Sequence, residues 1–80
     1  MYYVYLLQSE SCTGQRYVGV TANLKQRLID HNAGKSLHTS KYIPWTLVTY
    51  IAFSDKQKAE TFERYLKSGS GHAFAKKRLW

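Results

Sequence analysis

With a single cysteine in 80 residues, the chain can close no internal disulfide and build no multi-cysteine zinc site. Cys12 lies in the turn-rich stretch Ser9-Glu10-Ser11-Cys12-Thr13-Gly14, where a surface thiol suits a reducing compartment. No apolar run approaches the ~18 residues of a membrane span. Met1 leads straight into Tyr2-Tyr3-Val4-Tyr5-Leu6-Leu7, without the basic segment and cleavage site of a signal peptide, so a cytoplasmic location and no membrane partner are expected. Linkers, internal repeats and low-complexity tracts are missing too. Residues 1–80 should therefore form one domain, because too little chain remains to close a second core.

Acids are also scarce. Five Asp and Glu face 12 Lys and Arg, a net charge of +7. In so short a chain this attracts a polyanion, nucleic acid first. An anionic membrane surface fits less well, since no Lys/Arg-rich helix carries a broad Leu/Trp/Phe face. What the chain has in abundance is aromatic rings: 7 Tyr, 3 Phe and 2 Trp. They bring a large buried area to a small core, and the phenolic hydroxyls want partners or water, so some tyrosines should line a cleft.

Residues 2–8 read as a strand, 9–14 as a turn and Arg16–Val20 as a second strand, the two paired as a hairpin. Gly19 either weakens that strand or admits another group close to the backbone. Thr21 is the expected N-cap and Gly34 the C′ residue of a first helix with Leu24 and Leu28 on one face. A basic loop follows over 34–44, and Trp45–Phe53 reads as a third, mostly buried strand. Ser54 with Gln57 forms a capping-box pattern that opens a second helix, whose stripe is Ala59, Phe62 and Leu66. Ser68-Gly69-Ser70-Gly71 should stop it. The tail from His72 to Trp80 reads as a short third helix with Ala73 and Phe74 inward and Lys76, Lys77 and Arg78 outward. The order β-β-α-β-α-(α) predicts an α/β (α+β) sandwich: a small three-stranded, chiefly antiparallel sheet flanked by helices.

Two helices place polar groups beside their apolar stripes. Arg27 and His31 stand at i and i+4 and project together next to Leu24 and Leu28. Glu63 falls within the Ala59/Phe62/Leu66 face, where a carboxylate is costly unless a cation or donors meet it. The other four acids have ordinary settings: Glu10 in a turn, Asp30 on the polar side of its helix, Asp55 in a first helical turn and Glu60 four residues before Arg64. If an acid here binds a metal, it is Glu63; the alternative is an i,i+4 ion pair with Lys67. For Arg27 and His31 the alternative is an exposed basic helix edge, and for the tyrosines it is plain core packing.

Tyr3-Val4-Tyr5, then eleven residues, then Tyr17-Val18-Gly19 resembles the two triplets that name the GIY-YIG nuclease family. Thr21-x-Asn23-Leu24-x-x-Arg27-Leu28-x-x-His31-Asn32 resembles the family's first helix, and Ala59-x-x-Phe62-Glu63-x-x-Leu66-Lys67 the helix that carries its metal-binding glutamate. The likeness covers nearly the whole chain and is nearest to short, single-domain bacterial members that are similar to the N-terminal domain of the excinuclease. It implies that Tyr5 and Tyr17 are paired active-site tyrosines, Arg27 a phosphate clamp, His31 a proton-transfer or orienting partner, and Glu63 the ligand of Mg²⁺ or Mn²⁺. It also implies an endonuclease that hydrolyses DNA phosphodiester bonds, structure- or damage-directed, in repair or processing. Whether a tyrosine or His31 serves as general base stays open. The pattern departs from the family where Tyr3 replaces the first glycine and Val replaces Ile in both triplets. The polar residue, often Asn, that some members carry after the glutamate is absent, with Lys67 as a stand-in.

Lys35, His38, Lys41 and Tyr42 in the loop, Lys67, and the tail residues Lys76, Lys77 and Arg78 would add salt-sensitive, sequence-independent contacts to DNA. Each is equally readable as a solvated surface group. No spare element is long enough to read a major groove. That leaves room for a protein partner to supply substrate specificity, and the chain does not fix an oligomeric state. The competing function is a non-catalytic nucleic-acid-binding module with a degenerate site; a small interaction domain is a third. The nuclease expectation reduces to geometry: the hairpin and both main helices must gather two phenols, a guanidinium, an imidazole and a carboxylate into one pocket.

Overall fold

Strand β1 (Tyr2–Ser9) is apolar on both of its faces, and in the computed structural model, which describes all of residues 1–80, it takes the middle of a three-stranded sheet. Strand β2 (Arg16–Thr21) lies on one side of it and β3 (Trp45–Phe53) on the other, both antiparallel. Helix α1 (Leu24–Asn32) follows β2, a short 3-10 turn at Ser40–Tyr42 precedes β3, and α2 (Lys56–Leu66) and α3 (Gly69–Arg78) complete the chain. The expected β-β-α-β-α-α order and α+β sandwich are what form.

Alternation along β1 builds two cores. Val4 and Leu6 pack with Ala59 and Leu66 of α2 and Ala75 of α3, joined by Val18 and Val20. Tyr5 and Leu7 point the other way and pack with Trp45, Tyr17, Leu47 and with Leu24 and Leu28 of α1. So α1 covers one face of the sheet and the α2/α3 pair covers the other. No helix is long and apolar enough to cross a membrane.

Several local expectations shift. β3 is not mostly buried: it is an edge strand in which Trp45 alone is buried and Thr46, Val48, Tyr50 and Ala52 are exposed. The α1 cap is Asn23, whose side chain accepts from the Gln26 N–H at 3.1 Å. Thr21 stays in β2 opposite Tyr3, since strand pairing holds it extended. Gly34 does take the left-handed conformation just past the helix, at φ +76°. Asp55, not Ser54, caps α2 by accepting from the Gln57 N–H. Ser68-Gly69-Ser70-Gly71 ends α2 and also begins α3, with Ser68 as its cap.

The largest difference is the inward face of α3. Gly71 and Ala75, one helical turn apart, face in, while Ala73 and Phe74 are exposed. Helices α2 and α3 meet so closely that a Cβ on Gly71 would collide with the Tyr65 carbonyl oxygen. Only the smallest residues fit at that contact, so the aromatic ring is turned outward.

The obstacle at Gly71 is main chain and cannot swing aside. Gly71→Ala should therefore cost at least the about 1–3 kcal/mol typical of overpacking. Gly69→Ala, where nothing lies within 4 Å, should change little. Urea midpoints of the two variants decide the matter; equal midpoints would contradict the close helix contact.

Candidate active site

The site begins with a missing side chain. Tyr5 stands opposite Gly19 in the β1–β2 register, and a Cβ on Gly19 would lie 2.5 Å from the Tyr5 hydroxyl and 2.9 Å from the Tyr17 ring. The glycine in the strand thus admits two rings close to the backbone. The Tyr5 hydroxyl accepts from Arg27 Nε at 3.3 Å and lies 2.9 Å from His31 Nε2. On the far side of the imidazole, Nδ1 lies 2.8 Å from Thr39 Oγ1. The Tyr17 ring packs on His31 at 5.0 Å and on Tyr5 at 6.1 Å between centroids.

Burial sets the protonation states. His31 is 0% exposed, and desolvation, reinforced by the positive charge of Arg27 and opposed by Asp30, pulls its pKa below the ordinary imidazole value. A neutral ring has one donor and one acceptor nitrogen. It satisfies both here in either tautomer, because the Tyr5 and Thr39 hydroxyls can each turn to donate or to accept. Tyr5, 1% exposed, is pushed up to about 12, because burial outweighs the hydrogen bond from Arg27. Tyr5 is therefore a neutral phenol. Arg27 and Tyr17 are half-buried, so they are the members of the group that reach the surface.

Four of the five expected site residues, Tyr5, Tyr17, Arg27 and His31, come together on the α1 face of the sheet. Glu63 does not join them. It belongs to α2, in the opposite layer, and its ion pair is with Lys67 one turn on, the alternative pairing for this residue. No hydrogen bond or ion pair links it to the four. The helices that carry Arg27 and Glu63 pack on opposite faces of the sheet, so the expected group of residues is drawn from two halves of the fold. What connects the halves is the outer edge of β2, where Tyr17 and Lys67 line one cavity. No group of three or more His, Cys, Asp or Glu stands ready to hold a metal. Neither asparagine supports Glu63: Asn23 caps α1, and Asn32 exchanges two hydrogen bonds with the backbone of Trp45.

The basic residues are divided as well. Lys35 pairs with Asp30 at 3.6 Å, and His38 and Lys41 are exposed in the loop beside Thr39. Tyr42 is half-buried, its ring edge-on to Trp45 at 6.4 Å, so it forms part of the wall. Lys76, Lys77 and Arg78 are exposed on the last turn of α3, in the other layer. The residue that sequence reading misses is Thr39. Nothing in its spacing marks it, and only a buried imidazole nitrogen in need of a partner would have pointed to it.

A tyrosine pair on a glycine-bearing hairpin, with arginine and histidine one turn apart on the next helix, defines a small α+β domain of the GIY-YIG type. The GIY-YIG catalytic domain matches residues 1–77, and the chain belongs to that family. It is 38% identical over 66 residues to the UPF0213 protein SpyM50708 of Streptococcus pyogenes serotype M5 (strain Manfredo), 81% of this chain and 70% of that one. The UPF0213 protein SPs0786 of Streptococcus pyogenes serotype M3 (strain SSI-1) gives the same identity and coverage. The solution NMR structure of the UPF0213 protein BH0048 from Bacillus halodurans shares 28% identity, covers 99% of this chain and 87% of its own, and superposes with a TM-score of 0.57.

Because His31 is held neutral, the unfolded chain gains a proton near ~6.5 that the folded chain refuses. Its stabilising contribution is complete above that pH and declines as pH falls below it. Wild type should lose more stability than His31→Gln between neutral pH and the region below pH ~6; parallel losses would contradict a buried neutral imidazole. Thr39→Val should cost about 1–3 kcal/mol by leaving a ring nitrogen unpaired, measured by urea denaturation at neutral pH.

Proposed function

We propose that the protein is a divalent-metal-dependent endonuclease that hydrolyses DNA phosphodiester bonds, directed by DNA structure or damage and not by sequence, in repair or processing. The observation that carries this reading is the Tyr5–Arg27–His31–Thr39 network, which holds one guanidinium at the surface beside one accessible phenol. The net charge of +7 supports a polyanionic substrate.

In this reading Arg27 grips the non-bridging oxygens of the scissile phosphate through its planar fork of donors. Tyr17 meets the attacking water. Tyr5 and His31 are sealed from solvent and act as positioning residues: the phenol, pushed up to about 12, keeps its proton and orients Arg27, and the neutral imidazole holds the phenol in place. Glu63 is the lone carboxylate for a cation. A single carboxylate suits Mg²⁺ or Mn²⁺, which keep water and take oxygen from the substrate phosphate. It does not suit a zinc site, which needs three or four protein ligands. Lys67 holds Glu63 in the free protein, and its exposed ammonium can turn aside. When bound, the ion supplies charge neutralisation at the phosphate and help for the departing 3′ oxygen.

The Glu63–Lys67 ion pair and the separation of Glu63 from the network favour one competitor, a nucleic-acid-binding module without catalysis. Nicking of plasmid and branched DNA with Mg²⁺ or Mn²⁺ separates the two. Arg27→Ala and Glu63→Ala should each lower the rate by about 10²–10³, while Glu63→Ala still binds DNA. Equal cleavage by wild type and Glu63→Ala would transfer support to the binding module.

A further inference from the structure

Four concavities mark the surface. The one along the outer edge of β2 is lined by Arg16, Lys67 and His72, with Tyr17 and Trp80 beside them, and by no acidic residue. The other three differ: one is lined by both Lys58 and Asp55, one carries Lys25 alone, and one carries Glu10 and no cation. Several basic side chains with no acid among them are thus particular to the β2 edge.

The arrangement of Arg16 is also particular. Its guanidinium lies over the Trp80 ring, 4.8 Å from the centroid. Trp80 in turn is held by its backbone N–H, which donates to the Ala75 carbonyl at 2.9 Å, and by packing on the core under α2 and α3. A stacked guanidinium is fixed in plane yet keeps its in-plane N–H edges for an anion. Neither ion pair of the molecule engages Arg16. The one acid near this region, Glu63, is engaged by Lys67.

The cavity shares Tyr17 with the buried network and Lys67 with Glu63, so it lies where the two halves of the divided site meet. We infer that it is a second phosphate subsite, which takes a backbone phosphate flanking the one held by Arg27, through Arg16, His72 and Lys67. This rests on the nuclease reading for the identity of the substrate, but it is tested by binding alone. A phosphate seated here draws the strand around the β2 edge and brings it past both the guanidinium and the carboxylate.

The test uses the full chain, labelled with nitrogen-15, in EDTA so that no cleavage occurs. Titration with a short DNA duplex should move the Arg16 Nε–H and Trp80 indole N–H resonances together with that of Arg27. Arg16→Gln and His72→Gln, both at exposed positions, should each weaken duplex binding several-fold. Arg16→Gln, which removes a permanent cation, should also flatten the dependence of log Kd on log salt by about one phosphate contact, which a merely structural role would not do. Inorganic phosphate should produce the same shifts only at far higher concentration. If it saturates the cavity as readily as the duplex does, the site takes free phosphate and the backbone assignment fails. If the Arg27 resonance moves while Arg16 and Trp80 stay still, the subsite is wrong and the nuclease reading stands. Loss of metal-dependent nicking with these shifts intact sinks catalysis and leaves the cavity as a nucleic-acid contact.

Discussion

A neutral imidazole closed off from water, with both ring nitrogens engaged, is the constraint on which the α1 side of this molecule depends. His31 joins three segments: β1 through Tyr5, its own helix, and the loop before β3 through Thr39. An unpaired nitrogen in that position would cost about 1–3 kcal/mol, and a charged ring beside Arg27 would cost more. Fully paired, the same group rigidifies its surroundings. The orientation of Arg27 follows from it, since the phenol that accepts from Arg27 Nε is held on its other side by the imidazole. The surface chemistry is thus set from within by groups that never meet solvent.

The strands are legible in the sequence because they are rich in β-branched and aromatic residues; Gly19 inside β2 leaves a weakened strand and a close approach equally open, and the fold takes the second. Helix boundaries are less so. Thr21 and Asn23, or Ser54 and Asp55, are chemically equivalent caps, and only the folded chain selects between them. The face of α3 runs against expectation because large apolar residues belong inside, whereas the separation from α2 admits only Gly71 and Ala75. Periodicity brings Arg27 and His31 together correctly, since one turn of helix separates them. It assigns a residue to a face of its helix, but not a helix to a side of the sheet. That is why the separation of Glu63 from the network is invisible before the fold is known.

Lys67 gives that separation a physical form. Its ammonium neutralises Glu63 and lines the cationic cavity at the β2 edge. An anion entering there competes with the carboxylate for the same cation, so in the nuclease reading substrate and metal would favour one another's arrival without any movement of the backbone.

The outer margin of β3 has a different consequence. Trp45–Phe53 is nine residues of strand-forming sequence without one charged side chain, hydrogen-bonded to β1 alone. Natural edge strands commonly use lysine, proline or a bulge to discourage pairing between molecules. Here the irregularity between Leu6 and Leu7 is the local device, and the excess of cations elsewhere keeps copies apart at a distance. High ionic strength shortens that repulsion to a few ångströms. Colloidal stability of this protein should therefore decline in concentrated salt, with β3 as the seam along which molecules adhere.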